Sequence, residues 1–127
     1  LSGGAGNCRL VGGAGNDRLI GGPGRDSFIF DALPAKAGVD RIVDFDVHDD
    51  VIRLRLAAFD ALHGTGPLDA AEFHRGATAH DADDRLLYDR STGALFYDAD
   101  GSGGVEAVRF ATVTAGLSLT AADFLIY

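Results

Sequence analysis

The chain has 127 residues, 46% of them hydrophobic, enough to bury a core within one domain and too many for wholesale disorder. Nineteen acidic side chains against eleven basic ones leave a formal charge of -8, which argues against nucleic acid and anionic membranes as partners and favours cations. No apolar run approaches the roughly 18 to 20 residues of a membrane span, no basic start followed by an apolar stretch marks a cleavable signal, and the single cysteine, Cys8, has no internal disulfide partner.

From Gly3 a nine-residue phrase is written three times, as GGAGNCRLV, GGAGNDRLI and GGPGRDSFI. The preceding Leu1-Ser2 has the form of the last positions of an earlier phrase, so the chain reads as the tail of a longer array. Each phrase has glycine at positions one, two and four and a large apolar residue at eight, and the second and third have an aspartate at six. The glycines let the backbone turn tightly with its carbonyls inward, and the aspartate adds a carboxylate to that ring of oxygens. Hard cations such as calcium take roughly six to eight oxygen ligands, and with the acidic charge balance calcium or magnesium is the natural partner. The last three residues of each phrase predict a short strand whose apolar residue, Leu10, Leu19 or Phe28, enters a core. Two phrases make one coil, so phrases one and three stack on the same side. A glycine-rich linker would not hold a buried position in phase in this way.

These phrases resemble the RTX nonapeptides, calcium-binding repeats of parallel β-rolls. The resemblance implies an all-β fold: a short calcium-binding parallel β-roll over residues 1–30, then an antiparallel, β-rich capping region over 31–127. It implies metal-binding positions at Gly4, Gly6, Gly13, Gly15, Asp17, Gly21, Gly22, Pro23, Gly24 and Asp26. One ion would lie between Gly4 and Gly6 of the first turn and Gly21, Pro23 and Asp26 of the third. Cys8 stands where a partner carboxylate belongs, which weakens this site or hands the position to water. Asp17 faces either an upstream turn or a partner in the segment that follows.

Beyond Asp31 the period breaks. In GVDRIVDFDVHDDVIRL, from Gly38 to Leu54, apolar residues alternate with aspartates, which predicts strands flanking an acidic turn. The segment resembles the Asp-x-Ile-x-Asp-Phe stretch that closes the roll in serralysin-type proteases, and the resemblance makes Asp40, Asp44 and Asp50 candidate ligands of the last calcium site. The alternative is a solvated acidic turn. Further on, PLDAAEF places Asp69 three residues before Glu72, a capping-box spacing that predicts a short helix up to Phe73. Three strands near Arg85–Tyr88, Ala94–Tyr97 and Val105–Phe110, joined by glycine-containing turns, predict an antiparallel meander. In the second of these turns Asp98, Asp100, Ser102, Gly103 and Glu106 fall at EF-hand loop positions. Arg109 occupies the place of the bidentate glutamate and the flanks read as strands, so the turn is either a weak calcium site or a plain polar turn. This block, with Ala122-Asp123-Phe124, resembles the C-terminal cap of hemolysin-type calcium-binding proteins.

No His-Glu-x-x-His, Gly-x-Ser-x-Gly or phosphate-loop motif occurs, and His48, His63, His74 and His80 are spaced as surface residues, so the chain is not expected to be an enzyme. At the far end, Thr120 and Asp123 predict one capped helical turn, and the apolar residues after it predict a final strand against the cap. An acid followed by apolar residues also resembles the uncleaved C-terminal signal of type I secretion substrates. The resemblance thus implies a secreted, extracellular bacterial module whose partners are calcium ions and the type I secretion apparatus, with neither nucleic acid nor a membrane span. On this reading, deleting Asp123 to Tyr127 abolishes export and leaves calcium binding in the roll intact. An adhesion or surface-layer attachment module and a C-terminal fragment of a secreted hydrolase such as a serralysin-like protease are the alternatives.

Overall fold

The computed structural model describes residues 3–11, 15–31, 39–47, 49–59, 65–68, 72–75, 85–98 and 108–127. The first two nonapeptides end in β1 (Arg9–Val11) and β2 (Arg18–Leu19), and the third in β3 (Ser27–Phe30). β4 (Asp40–Ile42) and β5 (Val51–Leu54) flank the acidic turn, as their alternation predicts. After β6 (Gly66–Pro67) and β7 (Phe73–Arg75) come β8 (Leu86–Asp89), β9 (Ala94–Tyr97) and β10 (Val108–Thr112), and the chain finishes in β11 (Phe124–Ile126).

Two sheets form, with strand orders β1-β3-β5-β11-β6 and β2-β4-β10-β9-β8-β7. β1 pairs with β3 in parallel, Arg9 opposite Ser27, so phrases one and three do stack. The parallel stacking does not stop at Phe30. β3 pairs with β5, and β2 with β4, also in parallel. The chain therefore winds from one sheet to the other through β1, β2, β3, β4 and β5. It then leaves on an excursion and resumes the coil, β10 lying parallel on β4 and β11 parallel on β5. Residues 1–30 and 31–127 thus share both sheets.

The excursion supplies the antiparallel part: β8 with β9 and β9 with β10 make the expected meander, and β6 lies antiparallel on the outer side of β11. The meander's first turn is closed locally, the Asp89 carboxylate accepting from the Ser91 hydroxyl at 2.6 Å and the Gly93 N–H donating to the Asp89 carbonyl at 2.7 Å. The helix expected up to Phe73 falls partly on residues 69–71, outside the described residues. Phe73 itself opens β7, which pairs in parallel with β8. Glu72 just before it lies in a 3-10 turn, and the Phe73 ring packs on Phe124 at 5.4 Å.

The register explains the core. Leu10, Phe28, Ile52 and Phe124 stand opposite one another across four parallel strands, all buried and facing Leu19, Ile42 and the meander. Each such side chain contributes about 1.5–3 kcal/mol by leaving water. The coil and the excursion are joined by rings: Phe110 packs edge-on against Phe30 at 5.4 Å, and Phe59 against both Phe110 and Tyr97 at 5.2 and 5.1 Å. The Thr120–Asp123 signal is also realised. Ala121–Asp123 forms a 3-10 turn with a capping box, the Thr120 N–H donating to the Asp123 carboxylate at 2.9 Å, and it delivers the chain into β11. Among the described residues no helix is long and apolar enough to cross a membrane.

Candidate metal centre in the stacked turns

The first and third turns stack face to face, and at Gly22 and Gly24 only glycine fits the contact. Gly22 and Gly24 hold φ of 83° and 107°, a left-handed region that costs side-chain-bearing residues energy. A Cβ on either would meet a carbonyl oxygen of the first turn at 2.5 Å, that of Gly4 and that of Gly6 respectively. The first turn's carbonyls are thereby aimed at the third turn, where Gly21, Pro23 and Asp26 lie. Gly15 of the second turn also has positive φ, whereas Gly13 lies outside the described residues.

The aspartates form a ladder along the coil. Asp26 Oδ1 accepts the backbone N–H of Cys8 one rung below at 3.0 Å, and Asp50 Oδ1 accepts that of Asp26 at 2.9 Å. On the other side Asp40 Oδ1 accepts the N–H of Asp17 at 3.0 Å. Asp17 thus has a partner in the following segment. Asparagines at position five form a parallel ladder: Asn7 Oδ1 accepts from Arg25 N–H at 2.8 Å and Asn16 Oδ1 from Val39 N–H at 2.7 Å. Val39 and Asp40 therefore hold positions five and six of a further rung, and Asp50 holds position six of another. The separations of 23 and 24 residues, against 18 between Cys8 and Asp26, conceal this phase in the sequence.

The carboxylates fall into two kinds. Asp44 accepts Gly21 N–H and Gly22 N–H on its two oxygens at 2.9 and 2.8 Å, and Asp50 uses its second oxygen for Asp46 N–H at 2.9 Å. These two tie the acidic turn to the roll. Asp17 and Asp26 each keep a buried Oδ2 with no hydrogen-bond partner, and Asp26 is only 1% exposed. A buried, unsatisfied carboxylate oxygen is costly unless something cationic meets it. Burial pushes the Asp40 carboxyl above its ordinary range, a shift that the Asp17 N–H opposes and the Asp17 charge reinforces. Burial does the same to Asp50, with N–H donors from Asp26 and Asp46 opposing and the charges of those residues adding.

Among the described residues no three His, Cys, Asp or Glu side chains converge on one point, so any ion here draws on backbone carbonyls with one or two carboxylates. Hard oxygen donors of that kind, beside orphaned carboxylate oxygens, fit calcium. Asp98 lies elsewhere, at the end of β9, with its N–H on the Arg85 carbonyl at 2.8 Å. Asp100, Ser102, Gly103 and Glu106 fall outside the described residues, as do His48, His63 and His80; His74 lies in β7. The asparagine ladder is the part of the site that sequence reasoning missed, and its signal was the repeated Asn at position five of the first two phrases.

No curated protein matches the chain. Residues 1–32 match the family described as the RTX calcium-binding nonapeptide repeat (4 copies), so the stacked glycine-aspartate turns of this chain are RTX repeats and the ion they bind is calcium.

Proposed function

We propose that the chain is a calcium-dependent folding and export module of a larger secreted bacterial protein, without catalytic activity of its own. The observation that carries this reading is the pair of buried, unpartnered Oδ2 atoms on Asp17 and Asp26, each in a rung with a second carboxylate stacked above it. Bound between the turns, calcium supplies the positive charge that these stacked carboxylates lack. Extracellular calcium modules bind at about 0.1 to 1 mM, well above cytosolic supply, so inside the cell the carboxylates repel one another and the coil stays loose. Outside, the same residues convert ion binding into folding free energy.

The export half of the proposal fits the burial of the last strand. Phe124 and Ile126 are core residues in the folded protein, so the acid-plus-apolar stretch from Asp123 is accessible to a type I exporter only while the chain is unfolded. The absence of hydrolase motifs supports the non-catalytic reading.

Circular dichroism and thermal melts in chelator, calcium and magnesium test the folding half. Calcium should raise β content and melting temperature. Magnesium should do little, because it holds its waters and demands tighter octahedral geometry. Identical spectra and melting curves in all three conditions would end the proposal.

A further inference from the structure

Cys8 occupies position six of the first phrase, the place an aspartate holds in the other two, and its surroundings are those of a ligand. Its backbone N–H donates to Asp26 Oδ1, and its thiol reaches the Gly6 carbonyl at 3.6 Å. A Cβ built on Gly3 would meet Cys8 Cβ at 2.8 Å, Cys8 Sγ at 2.9 Å and the Gly21 carbonyl oxygen at 2.8 Å. The sulfur and this carbonyl therefore border one cradle, kept open by the absence of a side chain at Gly3. An independent observation points to an occupant: Asp26 is 1% exposed, and its Oδ2, packed against Gly21, has no partner.

We infer that the site between the first and third turns binds a thiophilic divalent cation of about calcium's size, cadmium being the probe, through the Cys8 sulfur and the Asp26 carboxylate with carbonyls of the two turns. The inference rests on the reading of these turns as an ion-binding stack. Thiolate is a soft ligand that ranks metals differently from carboxylate, and one sulfur among oxygens shifts preference from calcium toward softer ions. Zinc suits the site less, because it favours four ligands drawn largely from cysteine and histidine, whereas this site offers one sulfur among oxygens. An ordinary cysteine is a thiol, not a thiolate, at neutral pH. Binding moves that proton from sulfur to solvent and leaves the sulfur's electron pair on the metal.

The test is a cadmium titration of the purified chain, followed by the ultraviolet thiolate-to-cadmium charge-transfer band and by calorimetry. The expected result is a band that saturates at one equivalent and survives excess calcium. Cys8→Ser should abolish the band and weaken cadmium at least roughly tenfold, the loss that removing even an outer-shell partner can cause. Cys8→Asp should likewise lose the band and bind calcium more tightly than the parent. Absence of the band in the parent chain, equal cadmium affinity in Cys8→Ser, or an undiminished band in urea-unfolded chain would overturn the inference. A failure of calcium alone to alter the fold would instead count against the proposed function, and the cadmium band reads separately from it.

Discussion

Asp50 sits directly above Asp26 in the coil, its Oδ1 accepting the Asp26 backbone N–H at 2.9 Å, while Asp26 Oδ1 accepts that of Cys8 at 3.0 Å. Each carboxylate spends one oxygen on the rung below. For Asp26 the other remains buried and unused. Asp26→Ala should therefore weaken calcium binding by roughly tenfold or more, since it removes a charged ligand candidate rather than a supporting group. Asp98→Ala removes a buried carboxylate at the end of β9, away from the turns, and should cost about 1–3 kcal/mol of stability with little change in calcium affinity. Calorimetric titration beside thermal melts separates the two. Equal losses of calcium affinity would place the principal site elsewhere.

Gly22→Ala should damage the stack without touching any acidic group. The new methyl would stand 2.5 Å from the Gly4 carbonyl oxygen on a backbone at positive φ, so the first and third turns must separate. Loss of stability by about 1 kcal/mol or more and loss of calcium response are expected together. A variant that melts and titrates like the parent would show that the two turns need not be in contact.

Acidification should stabilise the metal-free chain. Burial holds the Asp40 and Asp50 carboxyls above the ordinary range in the folded state, so the fold binds more protons than the unfolded chain between the ordinary value and the raised one. That contribution is complete below the ordinary carboxylate pKa and is lost as pH rises through the raised value. Melting in metal-stripped buffer should therefore occur at higher temperature near the ordinary carboxylate value, about pH 4, than at pH 7. With saturating calcium the trend should reverse, because protons and calcium compete for the same oxygens. Calorimetric scans across this window provide the check.

The position of β11 changes how export has to be tested. Between β5 and β6 it is an interior strand, so deleting Asp123 to Tyr127 removes part of the core as well as any signal, and the roll is not expected to survive that deletion unharmed. Phe124→Ala alone should cost about 3–5 kcal/mol, Phe124 being only 1% exposed. Leu125 and Tyr127 point away from the core; Tyr127 is 40% exposed and carries the Arg53 guanidinium over its ring at 5.8 Å. Replacing both with serine should cost about 1 kcal/mol and sharply reduce secretion of a fused passenger through a type I exporter. Undiminished secretion with the fold retained would leave this stretch a structural strand only.

Much of this was legible in the residues. The nonapeptide period placed Leu10, Leu19 and Phe28 in the core and stacked the first turn on the third, because glycine and apolar positions in fixed phase leave the backbone few alternatives. The meander was equally plain from alternation and turn residues. What stayed hidden was the continuation of the coil through Asp40 and Asp50. A few extra residues between rungs break the period on paper while the hydrogen bonds of position six persist in space. The difference between Asp44 and Asp26 was hidden too. Both read as candidate ligands, yet one spends its oxygens on Gly21 and Gly22 N–H and the other keeps one free. Composition carries no signal for which lone pairs are already engaged.

The resumption of the coil at β10 and β11 also dictates timing. A partly synthesised chain ending before Val108 has β4 and β5 as open strand edges, with the partners they take in the folded protein not yet made. Closing Ile52 onto Phe124 brings together residues distant in sequence, and such contacts are slow because chain entropy is lost before the contact repays it. The rungs therefore wait as an incomplete spiral until the last two strands arrive. Residues 108–126 therefore supply the last partners of both sheets, so calcium meets a complete spiral only in a chain that already carries them.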